Sequence, residues 1–391
     1  MSLASAQTPK TDAQRASKAA ASLRAVAIED MDTNVPPEAQ KLILDLRAAV
    51  HDLAGHIIAS HNGKVTAIAL TSEIQKALYA ADLAPIDPAE HPHEKAGDNK
   101  FKNVYGNITT AAFDAVDGHS DLMVFRTNQI ISCGTDSSFY VFQWKDGKWI
   151  DVLDYSAPKY AEISGAFEGL DYAVSPSAPD GSWFVVAADW MPWCTSNWPG
   201  MSYVALRPSG KAAEPKVKAW KAMLFLGGDQ RFALSTKSNA FTVSYVGSFG
   251  DPALLTRVHI DRYEYVDGDF KRAAPVASDA LDFVDEWIAL PWADAQRWTA
   301  FAATDAVKWH KSLNHSENKN PLEWSVAFFQ PCLGGKKWQI GLDTDGDENP
   351  AKHLYFTIEK GTDFQLTAVG PNRAAGCPGE TAVKERSLKL P

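Results

Sequence analysis

The sequence predicts a mainly β protein of repeated antiparallel strands behind an N-terminal helical segment. Three observations carry this. The stretch Cys133 to Tyr155, CGTDSSFYVFQWKDGKWIDVLDY, reads as a polar loop, an aromatic strand, an Asp-Gly turn and a second strand. Echoes of it recur around SWFVVAADWMPWCTSNWPGMSYVALRPSGKA, NAFTVSYVGSFGDPALLTRVHIDRYEYVDGDF and EWSVAFFQPCLGGKKWQIGLDTDGDENPAKHLYFTIEKGTDF. Near Phe101 the apolar pattern changes from helical spacing to strands and turns.

The copies share a strand, a polar loop, a second strand and a tight hairpin to a last strand. The hairpins are WKDGKW, RPSGKA, YVDGDF and IEKGTDF. Asp-Gly suits a two-residue turn that needs positive φ. The turn glycines Gly147, Gly210, Gly268 and Gly361 lie roughly 60, 60 and 93 residues apart, so the last interval holds an insertion. In three copies the polar loop begins with cysteine: Cys133, Cys194 and Cys332. Repeats of about 40–60 residues with four strands each are blade-like, and the arrangement resembles a β-propeller. The resemblance is architectural: the chain has no Trp-Asp series and no kelch double glycine, and SAPDGSW at Ser177–Trp183 is a broken aspartate box. The same strands would also build stacked antiparallel sheets with flanking helices, an α+β arrangement.

In chain order, residues 1–35 are Ala-, Ser- and Lys-rich and read as a flexible or partly helical arm. Residues 36–100 form a helical segment and linker. Pro36-Pro37 opens a helix, PPEAQKLILDLRAAVHDLAGHIIA, with an apolar stripe through Leu42, Leu44, Leu46, Val50, Leu53 and Ile57. A second helix, TSEIQKALYAADL, takes Thr71 or Ser72 as its N-cap and stops before Pro85. Residues 101–377 are the β-rich repeats, with a Trp-rich helical insertion at 278–315. Residues 378–391 are a short, partly basic tail.

Composition narrows the function. A net charge of −10 and no basic run argue against a nucleic-acid partner. No stretch reaches the ~18 apolar residues of a membrane span. Ala4-Ser5-Ala6 before Gln7 has the small-x-small form of a signal-peptidase site, so the chain is expected to begin near a mature start. Four cysteines without metal or redox spacing fit an extracytoplasmic (secreted or periplasmic) protein. The favoured pairing is Cys133 with Cys194 and Cys332 with Cys377. Nothing in the sequence signals an oligomeric state.

The most function-like stretch is DWMPWCTSNW, Asp189 to Trp198. Trp190, Trp193 and Trp198 in one Pro-bearing loop suit a glycan or similar small-molecule ligand, because indole faces stack on sugar rings and cations. A second candidate is DTDGDENP: Asp343, Asp345, Asp347 and Asn349 alternate oxygen ligands as a calcium loop does. Gly346 stands at the fourth position rather than the sixth, and Leu354 at the twelfth where Glu belongs. Calcium is thus the single cofactor the sequence suggests.

Other chemistry is thin. Glu162, Glu168 and Asp171 offer carboxylates for a hydrolase acting on a polysaccharide or ester. A structural or protein-interaction role for the helical segment is a third reading. His51 and His56 diverge on their helix, His91 and His93 flank Pro92, and His310 and His315 read as surface groups. Asn107-Ile-Thr and Asn314-His-Ser are glycosylation sequons by form. No nucleophile elbow, phosphate loop or zinc-protease motif occurs.

Overall fold

The computed structural model describes residues 8–26, 35–84, 105–131, 134–156, 169–191, 200–208, 213–221, 232–248, 256–301, 303–345, 353–379 and 381. The protein is mainly β. The described residues form four four-stranded antiparallel sheets, and each places its strands in sequence order. The chain divides into two compact units. One is Met1–Ala222 with Thr236–Ser238; the other is Met223–Ser235 with Asn239–Pro391.

In the first unit, α1 (Pro9–Arg24) starts on Thr8. Its hydroxyl accepts from Thr11 N while Thr11 Oγ1 reaches back to the cap, and Pro9 fills the position that tolerates a missing N–H. Ala16, Ala20 and Leu23 are buried, and the two small alanines let α1 lie close to its neighbour. The predicted long helix is α2 (Pro37–Ala59). Its inward stripe runs Ala39, Ile43, Leu46, Val50, Leu53 and Ile57, whereas Leu44 points outward. The second helix, α3 (Ala67–Ala80), begins a turn earlier than its sequence suggests. Thr66, not Thr71, caps it by accepting from Ala69 N. Thr71 is spent elsewhere: its hydroxyl accepts from Phe113 N at 2.8 Å and ties α3 to the first sheet.

Sheet 1 is β1 (Ile108–Val116), β2 (His119–Ile131), β3 (Gly134–Lys145) and β4 (Lys148–Ser156). Its alternation loads both faces. Phe113, Met123, Phe125, Tyr140, Phe142 and Trp149 pack against α1–α3. Leu122, Val124, Phe139, Val141 and Leu153 pack against sheet 2 through Val185, Ala187, Val204 and Leu206. Sheet 2 is β5 (Gly169–Val174), β6 (Val185–Met191), β7 (Gly200–Pro208) and β8 (Ala213–Lys221). The unit is therefore a helical layer over two stacked sheets. The helices cover the face of sheet 1 that is turned away from sheet 2.

The second unit holds sheet 3, with β9 (Phe232–Lys237), β10 (Ala240–Ser248), β11 (Thr256–Val266) and β12 (Asp269–Arg272). It also holds sheet 4: β13 (Glu323–Pro331), β14 (Lys337–Asp345), β15 (His353–Lys360) and β16 (Phe364–Gly370). All four predicted hairpins join the third and fourth strands of a sheet: β3–β4, β7–β8, β11–β12 and β15–β16. Asp146 (φ 52) with Gly147 (φ 77), and Asp267 (φ 55) with Gly268 (φ 86), have the paired positive φ of the turn that matches strand twist. The cysteine register is not shared. Cys133 lies between the second and third strands of its sheet, but Cys332 follows β13, the first strand of sheet 4. The cysteine of the fourth copy thus stands one connection earlier in its meander and is not equivalent to Cys133.

The Trp-rich insertion is three short helices rather than one. These are α4 (Ala280–Ala289), α5 (Trp292–Ala295), continued by a turn of 3-10 helix, and α6 (Ala306–Leu313). Asp279 caps α4 by accepting from Leu281 N and Asp282 N. Trp287, Trp298 and Trp309 are buried with Ile340, Leu342, Phe356 and Leu366 of sheet 4, so these indoles are core. The disulfide Cys332–Cys377 forms as expected. Cys133 and Cys194 lie outside the described residues.

α4 docks on sheet 3 through buried charge. Arg257 Nε donates to Asp285 at 2.6 Å and its Nη2 to Glu286 at 2.6 Å; Arg272 Nη2 donates to Glu286 at 2.7 Å. Asp261 pairs with Arg272 at 2.9 Å. His259 lies 3.8 Å from Glu286, and burial first, then Arg257, holds its pKa below the usual value.

Candidate functional site

Two polar groups stand out in the first unit. Asp189, the last residue before Trp190, is fully buried near the end of β6. It accepts a short hydrogen bond from the phenol of Tyr155 on β4, across the gap between sheets 1 and 2. Burial, then the Asp189 charge, raises the Tyr155 pKa well above the ordinary phenol range, so the hydroxyl stays a donor. A buried carboxylate is tolerated only with such partners. Strand pairing fixes the same position: Asp189 lies opposite Leu170 on β5 and Ser202 on β7. The end of β6 that leads to Trp190 is therefore held in place.

The second group lies along the β1 and β5 edges. Arg126 on β2 grips Asp114 on β1 with a fork: Nε donates to Oδ2, and Nη2 to Oδ1 at 3.3 Å. Tyr172 on β5 donates to Asp114 Oδ2 at 3.0 Å from the facing sheet. Burial raises the Tyr172 pKa, and Asp114 adds to it. For Arg126 burial lowers the pKa, but bonding to Asp114 outweighs it and the net shift is upward. Asp171 is exposed next to Tyr172. Asp114 and Arg126 remain about a third and two-fifths exposed (34% and 42%), so a ligand can reach them. With both carboxylate oxygens of Asp114 bonded to fixed donors, the group suits a polar grip on hydroxyls better than a proton shuttle. Phe139 lies between Tyr155 and Tyr172, with ring centroids 5.4 and 5.0 Å away.

The expected site residues fall in several places. Trp190 lies on β6 opposite Gly169 on β5 and Met201 on β7; Trp193 and Trp198 lie outside the described residues, as do Glu162 and Glu168. Of the calcium candidates, Asp343 sits on β14 paired with His353 on β15, and Asp345 closes β14. Asp347 and Asn349 lie outside the described residues, and no group of three metal-ligating side chains occurs among the described residues. SAPDGSW is a local turn: Asp180 Oδ1 accepts from Ser182 N at 2.9 Å and Ser182 Oγ at 2.6 Å, and Trp183 is buried.

Two expectations are corrected. His310 is not a surface group; it is buried against Trp287, with Nε2 2.9 Å from Leu290 O, and burial lowers its pKa. Asn314 is not an open sequon. Its Nδ2 donates to Ile288 O (2.7 Å) and Leu290 O (2.9 Å), and its Oδ1 accepts from Ser316 and Glu317, so it closes α6 from within. His51 and His56 diverge as expected, His51 stacking on Tyr140 at 3.9 Å and His56 turning to Asp12.

Asp114, Arg126 and Tyr172 have no signal in the sequence beyond one charge in each of two apolar strands, TTAAFDAV and LMVFRTN. The chain matches no family model and no curated protein. Among solved structures it is similar to a xylan beta-1,4-xylosidase from Bacillus halodurans C-125, with 12% identity and a TM-score of 0.22 over 72% of this chain and 48% of that one. The chain thus spans about half the length of that structure. No described helix is long and apolar enough to cross a membrane.

Proposed function

We propose that the protein is an extracytoplasmic binding protein that holds a glycan or similar small-molecule ligand through Trp190, Trp193 and Trp198. The observation that carries this reading is the Tyr155–Asp189 contact, made one residue before Trp190 on β6. A loop offered from a fixed base loses less conformational freedom on binding. The Cys332–Cys377 disulfide supports an oxidising compartment. Two further parts of the reading rest on pattern alone: each four-stranded meander as a propeller-type blade, and calcium at Asp343, Asp345, Asp347 and Asn349.

A glycan array followed by calorimetry tests the main claim. Wild-type protein is expected to bind at least one neutral oligosaccharide, and the triple variant Trp190→Ala/Trp193→Ala/Trp198→Ala to lose at least about tenfold in affinity, the ~1.4 kcal/mol that one stacked ring supplies. No glycan bound, or equal affinity in a folded triple variant, removes the proposal. Calorimetric titration with calcium chloride checks the metal, and no heat of binding at millimolar calcium removes it.

A further inference from the structure

The charges that join α4 to sheet 3 leave two buried donors over. Arg257 is fully buried, and its Nε and Nη2 are taken by Asp285 and Glu286, but Nη1 has no partner among the described residues. The Tyr245 hydroxyl on β10 is equally enclosed and has none among the described residues either. Native interiors rarely leave such groups unmet, because desolvation is not recovered.

Both donors belong to one place. The register sets Tyr245 opposite His259 and Gly247 opposite Arg257, so the four residues share one face of the β10–β11 pair. The Tyr245 and His259 rings lie stacked, centroids 4.7 Å apart at 3°. Gly247 puts no side chain beside the guanidinium, which leaves Tyr245 as the diagonal neighbour, within reach of a long side chain. The same phenol feels Asp261, Glu286, Arg257 and Arg272 electrostatically, and burial raises its pKa well above the ordinary range, so its proton stays on.

Charge decides what fits between them. The guanidinium groups of Arg257 and Arg272 face the carboxylates of Asp261, Asp282, Asp285 and Glu286, with His259 held neutral by burial. An anion would add to an existing excess of negative charge. A cation would meet the outward N–H of Arg257. A neutral acceptor that can also donate satisfies both groups. We infer that one internal water molecule bridges Arg257 Nη1 and Tyr245 Oη and is a fixed part of the α4–sheet 3 junction. Such waters hold two to four polar partners and are costly to remove.

Crystallography of the full chain, with and without a bromide soak, tests this together with oxygen-17 relaxation dispersion, which counts long-lived internal waters. The expected result is one density peak within about 3.2 Å of both atoms, no bromide signal there, and one fewer long-lived water in Tyr245→Phe. A bromide peak means an anion site and overturns the inference. So does direct contact of either donor with a protein acceptor and no peak, or an unchanged water count in folded Tyr245→Phe. If that variant does not fold, the wild-type crystal alone decides.

Discussion

Glu286→Gln removes one charge and almost no volume from the junction between α4 and sheet 3. In the wild type, Glu286 accepts from Arg257 at 2.6 Å and from Arg272 at 2.7 Å, and none of the three side chains is more than 4% exposed. Removing one partner of a buried pair costs about 3–5 kcal/mol, because the remaining charge is stranded in low dielectric. Here each arginine keeps a second carboxylate, Asp285 or Asp261, so the lower end, about 3 kcal/mol, is expected. For a unit of 150–250 residues that corresponds to a fall in Tm of roughly 6–12 °C. Urea unfolding followed by tryptophan fluorescence reads the change, since Trp287 of α4 is fully buried beside the substituted residue. The control is Glu264→Gln, whose ion pair with Arg262 is exposed and should matter by less than about 0.5 kcal/mol. If Glu286→Gln shifts the midpoint no more than this control, the junction does not hold α4, and the charge reasoning above is wrong.

Three further outcomes are expected. Gly341→Ala places a Cβ 2.2 Å from the ring of buried Phe328, which should cost about 1–3 kcal/mol by overpacking; an unchanged melting curve refutes it. His259 and His310 both have lowered pKa values in the folded state, first from burial. The unfolded chain takes up their protons from about pH 6.5 downward while the folded chain does not. Stability should therefore fall below about pH 6.5, by at most ~1.4 kcal/mol per pH unit for each histidine, until the lowered folded pKa is reached. Equal urea midpoints at pH 7.5 and 5.5 contradict this. Finally, Asn314 should leave a glycosylating host unmodified in folded protein, because its amide is spent on Ile288 and Leu290; a glycan on it by peptide mass spectrometry contradicts the structure.

What the sequence made legible was local. The helix over 37–59 follows from a Pro start and a period of 3.6, and the four third-to-fourth-strand hairpins from their turn residues. The helical character of 278–315 was legible, but not the way α4 is set, because ALDFVDEWIA buries Asp282 and Glu286 along with its apolar residues and burial there does not follow polarity. His310 and Asn314 look polar and loose in sequence, yet both are pinned to the backbone carbonyl of Leu290 just after α4, 20 and 24 residues away. Asp189 opened the most function-like stretch, but the polar contacts between sheets 1 and 2 had no signal. Tyr172 meets Asp114 across 58 residues and Tyr155 meets Asp189 across 34, distances at which spacing says nothing about contact. The cysteine alignment failed for a related reason: a cysteine at the start of a loop does not say which loop of the meander it opens.

The helical layer over sheet 1 has a consequence for the life of the chain. Phe113, Phe125, Tyr140, Phe142 and Trp149 form a wide aromatic surface whose only cover, among the described residues, is α1–α3. Repeat arrays need a terminal element with a polar outer side to remain soluble, and here that element is made before any strand. The hairpin after β3 keeps it seated: Trp149 Nε1 donates to Asn62 O at 3.3 Å, and the Trp144 ring lies so close over Gly63 that no Cβ would fit there. During synthesis the cover is therefore made before the surface it shields, and proteolysis ahead of β1 would turn a stable sheet into an adhesive one.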